Sequence, residues 1–352
     1  MRATDYAKIV SPLLAWYETC GRDLPWRETK DPYRIWVSEI MLQQTRVETV
    51  RGYYERFLKA LPTIRDLSEA KEEELLKLWE GLGYYSRVRN MQKAARTVME
   101  EYDGVLPPDH KQLLSLCGIG PYTAAAVASI AYSIPKAVVD GNVLRVITRL
   151  GADDHDISDV RFRNETADLL DTIIPQDNPG AFNQAMMDLG ATVCVPNGAP
   201  LCDRCPLKKL CRAHRQKTEL FYPVKKAAAA RKIEKMTVFL IRDGDRFAIR
   251  KRPDGGLLAG MYEFPHAFGW LEKKEALSFL KELGLETLRI SRIESAKHVF
   301  THKEWHMWAY EARVGEGEKP DGVLFASPQE MLEIYPIPSA FSIYKERIGV
   351  IL

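Results

Sequence analysis

The chain has no apolar run of the roughly 18 residues that a membrane-spanning helix needs. Its first residues, Met1-Arg2-Ala3-Thr4-Asp5, lack the charged-then-apolar form of a signal peptide. No internal repeat and no low-complexity segment stands out, which removes solenoid and fibrous architectures. Cysteine is scarce, six in 352 residues, so a disulfide scaffold is excluded. Net charge is nearly absent as well, with 50 basic and 48 acidic residues giving +2. Strand signals are nearly absent before residue 216. The expectation is a soluble, cytoplasmic protein in a reducing compartment, with two or three domains.

What is present is unevenly placed. Hydrophobic residues make up 46%, ample for packed cores. From Asp203 to Met236 there are 11 lysines and arginines against three acids, a footprint suited to a polyanion or to a solvated linker. Helical spacing of apolar residues runs over 7–19, 35–57, 73–100, 161–174 and 179–189. Near residue 217 the pattern changes. Leu220 to Val224, then Lys225 to Arg231, reads as an extended, Ala-rich connector. Thr237–Arg242, a turn at Asp243-Gly244-Asp245 and Phe247–Arg252 form a hairpin. Residues 273–283 are helical and 298–314 are a strand pair. A mainly α domain thus precedes an α+β domain. The boundaries expected are 1–216, a linker over 217–233, and 234–352.

Four of the six cysteines, Cys194, Cys202, Cys205 and Cys211, lie within 18 residues with the spacing C-x7-C-x2-C-x5-C. In a reducing compartment such crowding indicates a metal centre, zinc or iron–sulfur. Zinc sites usually carry two CxxC pairs, so a single CxxC with longer flanks leans toward a 4Fe–4S cluster. Cys20 and Cys117 are isolated, and a structural thiol is the default reading of both.

Leu116-Cys117-Gly118-Ile119-Gly120-Pro121-Tyr122 precedes an apolar helical run. Glycines that turn N–H groups outward at a helix start make a phosphate seat without a basic side chain. Asp140 follows one helix later, after Val138-Val139 and before Gly141-Asn142, where it also reads as a simple N-cap. Glu39 sits within the mostly apolar run Ile35–Thr45. Pattern alone favours an exposed helix position for it. Were it buried, its raised pKa would let it donate a proton near neutral pH. Asp140, in a solvated or hydrogen-bonded place, would stay ionised and stabilise a cationic sugar, the acid and base logic of glycosidic cleavage.

These segments, with Leu24-Pro25-Trp26-Arg27, Trp36–Thr45, Gly81-Leu82-Gly83-Tyr84-Tyr85-Ser86-Arg87 and Val139–Val143, resemble the helix-hairpin-helix DNA glycosylases, and within them the MutY-type adenine DNA glycosylases. With a C-terminal domain similar to the MutT (Nudix) fold, the resemblance covers nearly the whole chain. It implies a 4Fe–4S cluster on the four cysteines, although the first gap is seven residues against the usual six. It also implies a monomeric, bacterial-type, nucleoid-associated enzyme that removes adenine mispaired with 8-oxoguanine, or guanine, in duplex DNA.

The resemblance further implies site roles. Glu39 protonates adenine N7 and Asp140 stabilises the oxocarbenium-like sugar, while Tyr122 and Asn142 support the transition state. Arg22, Leu24, Trp26 and Gln184 line the adenine pocket. Gln44 and Tyr84 wedge into the duplex, and Gly118 and Gly120 hold phosphate. Phe300, Thr301 and His302 contact 8-oxoguanine, with threonine where the family usually has serine. Tyr122 stands where bifunctional relatives carry lysine, so base removal without efficient strand cleavage is expected. The Arg-Glu…Glu-Glu metal motif of a Nudix hydrolase is missing from 273–283, which argues against phosphohydrolysis. The alternatives, a bifunctional lyase on oxidised pyrimidines and a non-catalytic lesion binder, conflict with Tyr122 and with the Glu39–Asp140 pair respectively.

Overall fold

The computed structural model describes residues 3–226, 230–315 and 320–350. They fall into two units, one of residues up to 69 and 90–227, the other of 70–89 and from 228 onward. Residues 227–229 of the Ala-rich connector lie outside the described residues.

The first unit is helical. The helix Pro32–Leu42 starts on Asp31, whose carboxylate accepts from the Tyr33 and Arg34 amides, with Pro32 in the first turn where its missing N–H costs nothing. The helix Pro121–Tyr132 buries eight consecutive residues, Thr123 to Ile130. Four of these are alanines, which let it lie close against Pro32–Leu42. Asp140 caps Gly141–Gly151, its carboxylate accepting from Val143 N. That helix packs on Pro179–Thr192, and a Cβ placed on Gly190 would come within 2.6 Å of the Asn142 Cβ. Glycine at 190 therefore sets how closely these two helices approach.

Two long helical readings are broken. The run over 35–57 divides into Pro32–Leu42 and Val47–Ala60, because Gln44 takes a left-handed backbone at φ 57°. The run over 73–100 divides into Glu72–Leu78 and Ser86–Glu101, with Gly81, Gly83 and Tyr84 all at positive φ between them. Glycine adopts that conformation freely, but Gln44 and Tyr84 do so at a steric cost that a sequence pattern does not announce.

The second unit is a sheet with strands β1 Lys232–Asp243, β2 Arg246–Lys251, β3 Tyr262–Glu263, β4 His266–Phe268, β5 Thr287–Val299, β6 Lys303–Val314 and β7 Leu324–Ala326. The order is β3-β2-β1-β6-β5, with β4 on β1 and β7 on β2. The expected hairpin is present, Arg242 opposite Phe247 around a turn with Gly244 at φ 61°. β1 and β6 run parallel. One face of β1 packs with Phe341 and Tyr344, and the other with Ala276 and Leu280 of the helix Lys273–Glu282. Burial on both faces explains why Met236–Ile241 reads as a continuous buried run and not as an alternation. Residues 70–89 are tied into this unit by charge. Glu80, almost fully buried, receives Lys77 and Lys345 ammoniums, each at 2.6 Å.

Gly190→Ala is expected to destabilise the first unit by about 1–3 kcal/mol, because overpacking outweighs the helix propensity gained. A denaturant midpoint equal to or above that of the parent would refute the close-packing account.

Candidate functional site

The first unit holds a cavity of about 180 Å³. Eight residues singled out from sequence converge on it: Arg22, Leu24, Trp26, Glu39, Tyr122, Asp140, Asn142 and Gln184. They come from separate stretches of chain. The loop and short 3₁₀ turn before Pro32 supply Arg22, Leu24 and Trp26. Four helices and a cap supply the rest.

Glu39 lies on the buried side of its helix, only 5% exposed, so the exposed reading is overturned. The Tyr122 hydroxyl donates to its Oε2 at 2.7 Å and also lies 3.3 Å from Met187 Sδ. Burial pushes the Glu39 carboxyl above its ordinary range, with the Tyr122 bond and the Arg27 charge pulling the other way. Burial likewise drives Tyr122 well above the usual phenol range, reinforced by Glu39 and Asp140, so it stays a neutral donor.

Asp140 is hydrogen-bonded, as expected, through Val143 N at 2.7 Å and Asn142 Nδ2 at 2.7 Å. It is half-buried at the cavity wall. Burial raises its carboxyl, and the cap bonds from Val143 and Asn142 counteract this. Asn142 is itself fixed by Arg145, which donates to its Oδ1 at 2.9 Å and to Gly190 O at 2.7 Å.

Sequence reasoning missed Asp188. It is wholly buried and takes Arg22 and Arg27, each with an N···O distance of 2.6 Å. Burial alone would raise its carboxyl, but the Arg27 guanidinium, with Arg22 beside it, holds it below the ordinary range. The signal was present, a lone acid after Met186-Met187 in an apolar helix, the same kind of signal that marked Glu39. Arg27 and Met187 also line the cavity. Gln184 accepts from the Tyr17 hydroxyl at 2.6 Å.

The remaining predicted residues fall elsewhere. Gln44 is exposed on the loop whose neighbours Leu42 and Thr45 line the cavity. Gly118 takes the left-handed turn at φ 76°, and a Cβ there would meet Asn90 at 2.6 Å. Gly120 is extended and is the N-cap of Pro121–Tyr132, so only one of the two glycines is conformationally required. In the second unit, the exposed Tyr84 shares a 2.9 Å hydrogen bond with Thr301. Phe300 stacks edge-on against Trp305 and His298, leaving Thr301 and His302 outermost on the β5–β6 turn.

Cys194, Cys202, Cys205 and Cys211 gather around one small cavity and form no disulfide. Burial pushes the Cys205 thiol up to about 12 and the Cys202 thiol up to about 11, so thiolates there need cationic compensation. Arg149 Nη1 lies 3.2 Å from Cys194 Sγ. Four thiols lining one cavity are a donor set suited to a soft metal centre, zinc or iron–sulfur. At the cavity's edge Cys202 Sγ, a His214 ring nitrogen and a Glu219 oxygen lie within 4.8 Å of one another. Cys20 and Cys117 are both exposed, which is not the placement of packed structural thiols.

Asp188→Ala is expected to cost about 3 kcal/mol, since it strands two guanidiniums that are mostly buried. Chemical denaturation checks this, and a loss below about 1 kcal/mol would mean that the arginines re-pair.

Residues 37–171 match the family model of the HhH-GPD superfamily base excision DNA repair proteins, and residues 237–347 match that of the NUDIX domain. The adenine DNA glycosylase of Rattus norvegicus is 35% identical, over 88% of this chain and 70% of that protein. The adenine DNA glycosylase of Buchnera aphidicola from Acyrthosiphon pisum is 34% identical, over 84% and 83%. Among solved structures, a thermostable thymine-DNA glycosylase superposes with a TM-score of 0.56 at 31% identity, covering 61% of this chain and 100% of that one. A trapped endonuclease III–DNA covalent intermediate superposes with a TM-score of 0.53 at 25% identity, covering 62% and 99%.

Proposed function

We infer the reaction from one premise: the chain belongs to the adenine DNA glycosylases, within the HhH-GPD superfamily of base excision DNA repair proteins. It is a DNA N-glycosylase. Its substrate, on our reading, is adenine mispaired with 8-oxoguanine, or with guanine, in duplex DNA. Hydrolysis releases the base and leaves the strand intact.

The observation that carries this reading is the pair of unlike carboxyl environments in one cavity. A glycosidic bond inside a duplex cannot be reached, so the adenine must leave the stack and enter the cavity. Glu39, which burial shifts toward its protonated form, gives its proton to the adenine ring, which then departs as a better leaving group. The Tyr122 hydroxyl fixes one Glu39 oxygen, so the proton sits on the other. Asp140, held by Val143 N and Asn142, faces the positive charge that develops on the sugar. Arg22, Leu24, Trp26 and Gln184 supply the walls that hold the base.

Elsewhere, Gly118 and Gly120 would seat a backbone phosphate at a helix start. Gln44 and Tyr84 would wedge the duplex, where partial unstacking is offset by new contacts. Thr301 and His302, propped by Phe300, would read the 8-oxoguanine. Cys194, Cys202, Cys205 and Cys211 would hold a 4Fe–4S cluster. That cluster would bind the 194–211 segment into one body and supply a redox-capable centre. A phenol at 122 cannot form a Schiff base, so borohydride should trap no covalent adduct in high yield. We place the enzyme, as a monomer, on the nucleoid of a bacterial-type cytoplasm.

Single-turnover excision from duplexes with adenine opposite 8-oxoguanine, guanine or thymine tests the specificity, and equal rates on all three would sink it. Glu39→Gln should slow release roughly a hundred- to ten-thousand-fold while duplex binding is retained. Because the folded state raises the Glu39 pKa, excision should fall as pH rises through that raised value. The linkage has the same sign. The folded chain binds this proton more tightly than the unfolded one, so stability relative to Glu39→Gln is greatest at low pH and is lost on going to alkaline pH. An E39Q variant no more stable than the parent at pH 8 would contradict a buried acid. Absorbance in the thiolate-to-iron charge-transfer region separates the cluster from zinc.

A further inference from the structure

Three arginines stand in one row across the second unit's sheet. Arg289 on β5 faces Arg313 on β6, and Arg313 faces Arg242 on β1. All three are exposed and belong to adjacent strands, so their stems are spaced by about 4.8 Å each. Like charges directly opposite one another destabilise a sheet. With Ser291, Glu311 and Arg347 they border a recess of about 450 Å³.

Carboxylates are nearby and do not neutralise the row. Glu294 and Glu311 pair with Arg347, at 3.0 and 3.2 Å. Among the described residues, Arg242, Arg289 and Arg313 make no ion pair. Arg242 donates only to Gly244 O, at 2.6 Å, and lies over the Phe247 ring. One guanidinium fork saturates the two oxygens of a carboxylate. A phosphoryl group offers more acceptor oxygens and a higher charge, and can be shared between adjacent forks.

We propose that the Arg289–Arg313–Arg242 row is an anion site for phosphoryl groups, filled either by a free oligophosphate or by the backbone of a nucleic acid. The proposal rests on the sheet register and is independent of the catalytic reading. Its test uses the full chain at low ionic strength, with sodium tripolyphosphate as probe. The parent should show a rise in thermal midpoint beyond that given by sodium chloride of equal ionic strength. Arg289→Thr with Arg313→Thr should melt at or above the parent without probe, because repulsion is relieved, and should lose most of the probe's stabilisation. Affinity by calorimetry should drop about ten-fold or more. The source is read from duplex binding against salt. A shallower slope in the double variant, by about two, assigns the site to DNA backbone, and an unchanged slope assigns it to free oligophosphate. No probe-specific stabilisation of the parent, equal stabilisation of the variant, or equally strong row-dependent binding of poly-glutamate would each overturn the phosphoryl assignment.

Discussion

The active cavity depends on how buried carboxylates are partnered. Asp188 has no exposed surface, and a charge there is tolerable only because Arg22 and Arg27 close on it. Both arginines come from a stretch with little regular structure, whose next residues, Leu24 and Trp26, form a wall of the cavity. One ion-pair triad therefore anchors a loop that its own backbone hydrogen bonds would not hold. Glu39, on the wall of the same cavity, is buried with, among the described residues, only a neutral phenol bonded to its carboxyl, and burial shifts that carboxyl the opposite way, above its ordinary range. Two acids of the same chemistry are thus shifted in opposite directions, Asp188 down by the guanidiniums that close on it and Glu39 up by burial without such a partner.

The same principle recurs in the second unit with a different outcome. Glu80 is buried between Lys77 and Lys345, which binds the segment 70–89 to the C-terminal sheet and helices. The loop carrying Tyr84 is therefore positioned by that unit, although its sequence reads as part of a helical domain. The Tyr84–Thr301 bond then places the wedge candidate and the lesion-reading candidate side by side.

Much of this was legible from residue order. The hairpin at Gly118, the Asp140 cap, the cysteine group and the β1–β2 turn all rest on local chemistry, glycine conformation, capping oxygens and thiol spacing, that a sequence states directly. The break before Ser86 was signalled by Gly81 and Gly83, whereas the break at Gln44 was not legible, because an ordinary residue forced to positive φ leaves no composition signal. The burial of Glu39 was not settled by periodicity, since a helix packed on most sides has no exposed stripe for the acid to contradict. Asp188 was overlooked because its partners lie more than 150 residues away, and only the fold brings them together.

The cap made by Asp140 has an evolutionary consequence. Asparagine at 140 would accept the same bond from Val143 N and keep the helix start, since the two residues cap equally well. On the proposed mechanism it would remove the charge that the sugar requires. Cellular quality control responds to unfolding, not to chemistry. A lineage could therefore drift to an intact, abundant and inert protein at this position, one that still occupies its substrate. At Gly190 the same drift would be exposed at once, because any added side chain forces the helices apart and the chain is cleared. Selection on activity alone guards position 140, whereas selection on folding already guards position 190.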